Sequence, residues 1–139
     1  GDYKSVDVLV TSVEEAKRFA EESGIDAMAV AIGTAHGNYK EKPQLRIDRL
    51  KEIHAAVKTP LVLHGGTGLT EEDFRTCLAN GIQKINIATA SYDASAAKIK
   101  EVAAANPQAK YFDFSDAIVQ GTYENVKKHM HIFGLEQKA

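Results

Sequence analysis

The feature that most restricts what this chain can become is a recurring order: an apolar run, a turn bearing glycine, then an amphipathic segment. Ala27-Met28-Ala29-Val30-Ala31-Ile32 is apolar without alternation, as expected of a strand buried on both faces of a parallel sheet. It ends at Gly33-Thr34-Ala35-His36-Gly37. After Pro43, residues Leu45, Ile47, Leu50, Ile53 and Val57 form a helical stripe, and Thr59-Pro60 closes it. Leu61-Val62-Leu63 then runs straight into His64-Gly65-Gly66-Thr67-Gly68, and the order has repeated.

The flanking segments obey the same rule. Val6–Val10 is a short β-branched run, followed by a helix capped at Thr11 or Ser12 and stopped by Gly24. Thr70 caps another helix, whose Glu71, Glu72 and Asp73 suit its positive end and whose stop is Asn80-Gly81. Ile82–Ile87 gives a further strand, Thr89 opens an alanine-rich helix to about Ala105, and Ser115–Phe133 is expected as a last helix outside the repeat. Strand, glycine-bearing loop and helix in succession define βα units around a parallel sheet, so the fold class is α/β. A small open sheet and a part of a barrel both satisfy this pattern.

Composition excludes several functions. Hydrophobic residues make up 44% and charged residues 26% of the 139, near the globular average. Formal net charge is -2 and the basic residues are scattered, so neither nucleic acid nor an anionic membrane surface is an expected partner. The single cysteine, Cys77, sits in an amphipathic segment and is expected to be a buried, inert thiol, which fits a reducing, cytoplasmic setting. No apolar run approaches the roughly 20 residues that span a bilayer.

In βα folds the working groups gather where strands end, because the loops there converge over one end of the sheet. His36 and His64 both hold that position, each followed by glycine. A single strand-end histidine is usually structural, whereas two at equivalent places in successive units can meet at one metal ion. The glycines serve tight turns or leave backbone amides open to an anion such as phosphate. Lys40 could reach that anion or be an ordinary surface lysine. Asn86, flanked by Ile85 and Ile87, needs a polar partner. Thr89 either adds to a phosphate site or caps the next helix. His54, His129 and His131 are expected to be structural or solvent-facing.

Three ordered segments carry a resemblance: Ala31-Ile32-Gly33-Thr34-Ala35-His36-Gly37, Leu63-His64-Gly65-Gly66-Thr67-Gly68, and Lys84-Ile85-Asn86-Ile87-Ala88-Thr89. Together they resemble the class II fructose- or tagatose-bisphosphate aldolase family, in order and spacing from about Ser12 to Thr89. The resemblance implies a (β/α)8 barrel of which this chain is the carboxyl-terminal half, since a closed barrel needs about 250 residues. Residues 1–139 are then one fragment, with βα units over 6–105 and a helical extension over 106–139.

It further implies that His36 and His64 are two of three histidines holding a catalytic zinc, the third belonging to the amino-terminal half. Gly37, Lys40, Gly65, Gly66, Thr67, Asn86, Ile87, Ala88 and Thr89 are implied as groups that bind phosphate and ketose, with a monovalent cation, sodium or potassium, assisting. Asn86 is also the implied catalytic residue, donating a hydrogen bond to an enediolate that the zinc stabilises. The implied reaction is reversible cleavage of a ketose bisphosphate into dihydroxyacetone phosphate and an aldehyde. A homo-oligomer and the absent half of the barrel are the implied partners.

Three features depart from the family pattern. No Asp-His pair is present, Asn106-Pro107-Gln108-Ala109-Lys110 lacks an arginine found in many relatives, and the end Phe133-Gly134-Leu135-Glu136 departs from the usual small residues; the last two leave the choice of ketose open. A metal-free phosphate-binding barrel enzyme and a noncatalytic half-barrel subunit are the competing readings.

Overall fold

The computed structural model describes residues 10–135, so the strand expected at Val6–Val10 lies outside the description except for Val10. The chain forms two compact units, one extending to Ile87 and one beginning at Ala88. The first contains α1 (Val13–Ser23), β1 (Met28–Ala29), α2 (Ile47–Ala56), β2 (Leu61–Leu63), α3 (Glu71–Ala79) and β3 (Ile82–Ile85). The second contains α4 (Thr89–Ala105) and α5 (Tyr111–Ile132).

Strands β1, β2 and β3 lie side by side in chain order and are all parallel. A parallel neighbour cannot be reached by a hairpin, so each step requires a crossover, and α2 and α3 supply them. Met28 pairs with Leu61 and Ala29 with Val62. On the other edge Leu61 pairs with Ile82, but Val62 pairs with Lys84 and Leu63 with Ile85, so Gln83 is an extra residue that shifts the register by one. Such a bulge turns the strand beyond it and redirects its side chains.

The core of this unit is aliphatic with one ring. Ile32, Leu50, Ile53, Leu61, Leu63, Phe74 and Cys77 are fully buried, and α2 lies against both α1 and α3. Each fully buried aliphatic or aromatic side chain contributes roughly 1.5–3 kcal/mol. Burial pushes the Cys77 thiol up to about 11, with Asp73 adding to the effect, so it stays protonated and unreactive as expected.

The expected strand Ala27–Ile32 is shorter and more one-sided than its composition suggests. Met28, Val30 and Ile32 are buried while Ala27 and Ala29 are exposed, so a period of two is present that an all-apolar run conceals. The Val30 amide still bonds the Val62 carbonyl, but the Ala31 amide turns to the Thr11 hydroxyl and the Ile32 carbonyl accepts the Arg46 amide. The ladder ends there while burial continues.

Helix termini follow the sequence closely. Ser12 caps α1, its hydroxyl accepting the Glu15 amide at 3.1 Å while the Glu15 carboxylate accepts the Ser12 amide at 3.2 Å, and Gly24 closes the helix at φ 62°. Thr70 and Asp73 form the same reciprocal pair on α3, at 3.1 and 2.9 Å.

In the second unit α5 starts at Tyr111, four residues before the expected Ser115, because the Asp113 carboxylate reaches back to accept the Lys110 amide at 2.7 Å. Gly121 brings α5 against α4: a Cβ there would lie 2.6 Å from the Ala94 carbonyl oxygen. The Ser95 hydroxyl donates to the Ile118 carbonyl at 3.1 Å, and Asn125 donates to Ser91 at 2.9 Å. Among the described residues no helix is long and apolar enough to cross a membrane.

The α3 cap makes a prediction about acid. Partial burial alone would raise the Asp73 carboxyl, but hydrogen bonds from Thr70 and the charge of Lys42 outweigh it and hold the group below its ordinary value. A carboxylate lowered in the folded state adds stability above its ordinary range and loses it as pH falls through the lowered value. Asp73→Asn should therefore weaken the protein at neutral pH and flatten the acid limb of its stability curve, and Thr70→Ala should cost about 1 kcal/mol. Urea unfolding between neutral pH and pH 3 checks both; identical acid limbs with and without Asp73 would contradict the assignment.

Candidate active site

His36 stands in the loop that follows β1, and His64 directly follows Leu63, the last residue of β2. Parallel pairing carries both loops to the same edge of the sheet. The two rings are 5.4 Å apart centre to centre and meet edge to face at 68°. Two imidazoles bound tetrahedrally to one zinc at about 2.0–2.1 Å set their ring centres about 5.2 Å apart, so this spacing fits a shared ion. Among the described residues no third histidine, cysteine or carboxylate joins them, so the pair is what these residues offer a metal.

Asn86 completes the group. Its amide N–H bonds the Leu63 carbonyl at 2.9 Å, extending the β2–β3 ladder past β3, and its side-chain nitrogen lies 2.9 Å from His64 Nε2. The bulge at Gln83 is the cause of this proximity, since it moves Asn86 to a place beside His64. The Lys84 ammonium contacts Asn86 Oδ1. An ammonium only donates, so it fixes the amide with its NH2 toward His64, and Nε2 then accepts. A metal ion on this ring would displace that hydrogen bond or move the ring proton to the other nitrogen.

The two histidine loops also touch. Gly65 has φ 69°, and a Cβ on it would lie 2.3 Å from the Ala35 carbonyl oxygen, so here it is the neighbouring loop that approaches the backbone. Gly37 has φ 92° with nothing within 4 Å of a built Cβ, so its requirement is conformational alone. Gly66 leaves room for the Phe74 ring, and Thr67 is buried.

Tyr39 joins the same two loops through one oxygen. Its hydroxyl accepts the Ala35 amide at 2.9 Å and donates to the Gly65 carbonyl at 2.6 Å. Burial raises its phenol above the ordinary value against a lowering from the Ala35 amide, so it stays neutral and keeps both bonds. Sequence reading passes over this residue because its second partner is 26 positions away. Nothing in the local pattern distinguishes it from any loop tyrosine.

Lys40 lines a cleft of about 290 Å³ together with Lys42, Tyr39, Gly68 and Thr70. The amino terminus of α3, which the glycine loop precedes, is poorly suited to an anion: Thr70 and Asp73 satisfy its cap, and Glu71, Glu72 and Asp73 place negative charge in its first turn. The α4 terminus differs. Ala88 is its capping residue and makes no side-chain hydrogen bond, the first turn holds no acid, and Thr89 is the first helical residue. The reading of Thr89 as a helix cap is therefore corrected, because Ala88 occupies that position.

The other histidines lie apart from strand ends. His54 is exposed on α2 with its ring over the Gly81 backbone, and His129 Nδ1 lies 2.8 Å from the Asn125 carbonyl oxygen within α5.

Comparison with known proteins bears on this arrangement. The family description "Fructose-bisphosphate aldolase class-II" matches residues 1–138. A sulfofructosephosphate aldolase from Alkalicoccus urumqiensis is 38% identical over 134 residues, covering 96% of this chain and 47% of that protein. The crystal structure of the YdjI aldolase from Escherichia coli K12 superposes with a TM-score of 0.83 at 35% identity, covering 94% of this chain and 48% of the other. A fructose-bisphosphate aldolase structure from Campylobacter jejuni shares the fold, with a TM-score of 0.69 at 24% identity over 96% of this chain and 48% of the other.

The chain belongs to the class II fructose-bisphosphate aldolase family. It spans about half the length of these relatives.

The two glycines that follow the histidines should respond differently to a methyl group. Gly37→Ala meets only the cost of a left-handed backbone, about 1–2 kcal/mol. Gly65→Ala adds a collision with a backbone carbonyl and should cost clearly more. Equilibrium unfolding in urea compares them, and equal losses would show that the loops are not in contact at Gly65.

Proposed function

We propose that this chain is the carboxyl-terminal half of a (β/α)8 barrel aldolase that cleaves a phosphorylated ketose reversibly into dihydroxyacetone phosphate and an aldehyde. The observation that carries the reading is the meeting of His36 and His64 at 5.4 Å with Asn86 beside His64. Family membership gives the reaction class, and the in-order parallel strands with an exposed face at Ala27 and Ala29 suit one part of a barrel wall. On this reading residues 6–105 supply βα units of one domain and 106–139 extend it.

His36 and His64 would hold a zinc ion, with a third ligand from outside this chain. A bound divalent cation supplies a Lewis acid for the negative charge that carbon–carbon cleavage leaves on the ketone oxygen. The residues do the rest. Asn86, whose amide Lys84 orients, would donate to that oxygen as the catalytic residue. Gly37, Lys40, Gly65, Gly66 and Thr67 take the phosphate through backbone amides and one ammonium, which orients the reacting carbons. The resemblance adds Ile87, Ala88 and Thr89 to that set, and a sodium or potassium ion beside them. A sulfofructose phosphate, named for the relative from Alkalicoccus urumqiensis, is among the substrates this class allows, as are fructose and tagatose bisphosphates. The protein would work in the cytoplasm as a homo-oligomer.

Metal analysis of the complete protein tests the proposal. About one zinc per chain is expected, aldol cleavage should stop on chelation and return with zinc, and His36→Ala and His64→Ala should each lose both metal and activity while His54→Ala keeps them. Full cleavage activity in metal-free protein would rule out this mechanism in favour of histidines acting as acid and base.

A further inference from the structure

We propose that Tyr39 is a positioning residue that sets the separation of His36 and His64, and so the bite that this pair presents to a divalent cation. The proposal rests on the metal-binding reading above and deepens it.

The geometry is specific. The phenol binds the amide of Ala35, the residue before His36, and the carbonyl of Gly65, the residue after His64. A single oxygen thus holds the two backbones from which the imidazoles spring, one as acceptor and one as donor. Its ring lies over Gly68, where an added Cβ would come within 3.1 Å, so the phenol is braced from the side. The loops press together at Gly65 and Ala35, so the hydroxyl works on a contact already at its closest approach.

A hydroxyl suits this task because it donates and accepts at once, which neither phenylalanine nor lysine at this position could do. Ligands of a tetrahedral ion tolerate little error in placement, and groups outside the ligand set that orient ligands commonly govern metal affinity by about 10–100-fold. Lys84 and Asn86 orient the His64 ring from one side. Tyr39 acts on both histidines through the main chain.

The experiment compares the complete protein with its Tyr39→Phe variant. Zinc affinity, measured by competition with a chromophoric chelator, should fall about tenfold or more. The visible spectrum of the cobalt-loaded protein should change in position or intensity. In metal-free protein, the imidazole NMR signals of His36 and His64 should both shift while that of His54 stays in place.

Unchanged affinity, cobalt spectrum and imidazole signals would overturn the proposal, as would a variant that only loses thermal stability. If the unaltered protein binds no metal, the aldolase mechanism fails first and the proposal falls with it; metal binding in the unaltered protein with an indifferent Tyr39→Phe variant sinks the proposal alone. Should Tyr39→Phe fail to fold, 3-fluorotyrosine at position 39 gives the same readouts. It keeps a hydroxyl in place with altered donor and acceptor strength, and an unshifted cobalt spectrum would again overturn the assignment.

Discussion

Strand β2 gives both of its edges to parallel neighbours, and the position of every candidate group follows from that pairing. Its three residues are buried, and their hydrogen bonds are shared between β1 and β3. The residue after the strand is His64, so the most completely fixed backbone in the first unit ends on a candidate ligand. His36 is reached through β1 and Asn86 through β3, each one strand away. A parallel ladder leaves all strand ends on the same side, so three side chains separated by up to 50 positions in the chain share one edge without any direct sequence relation.

Much of this was legible in the residues. The caps at Ser12 and Thr70 and the stop at Gly24 are local chemistry, and local chemistry is what a sequence displays. The strand-end places of His36 and His64 were also readable, because apolar runs and glycine turns bracket them. Asn86 between Ile85 and Ile87 signals the need for a polar partner, but that the partner is His64 follows only from the register of β3.

What escaped reading depends on the third dimension. The extra residue at Gln83 has no compositional sign, because Ile82-Gln83-Lys84-Ile85 reads equally well as an unbroken strand. The one-sided burial of β1 was hidden because alanine occupies the exposed positions and looks apolar. The helix that starts at Tyr111 begins early because one aspartate caps it backwards, a signal weaker than the proline that precedes it. Tyr39 carries no local sign, because its two hydrogen bonds cross the gap between two loops.

The register shift in β3 has a consequence for how this strand can vary. Gln83 is exposed, so most side chains should be acceptable there. The length it adds is separable from the site in the same way. Removing it would close the bulge: Lys84 would follow Ile82 directly and still stand opposite Val62, with Ile85 beside Leu63 and Asn86 beside His64. Position 83 is thus a spare unit of length, and a scan of single-residue deletions, unlike a scan of substitutions, would show that the strand can lose it and keep its amide beside the imidazole.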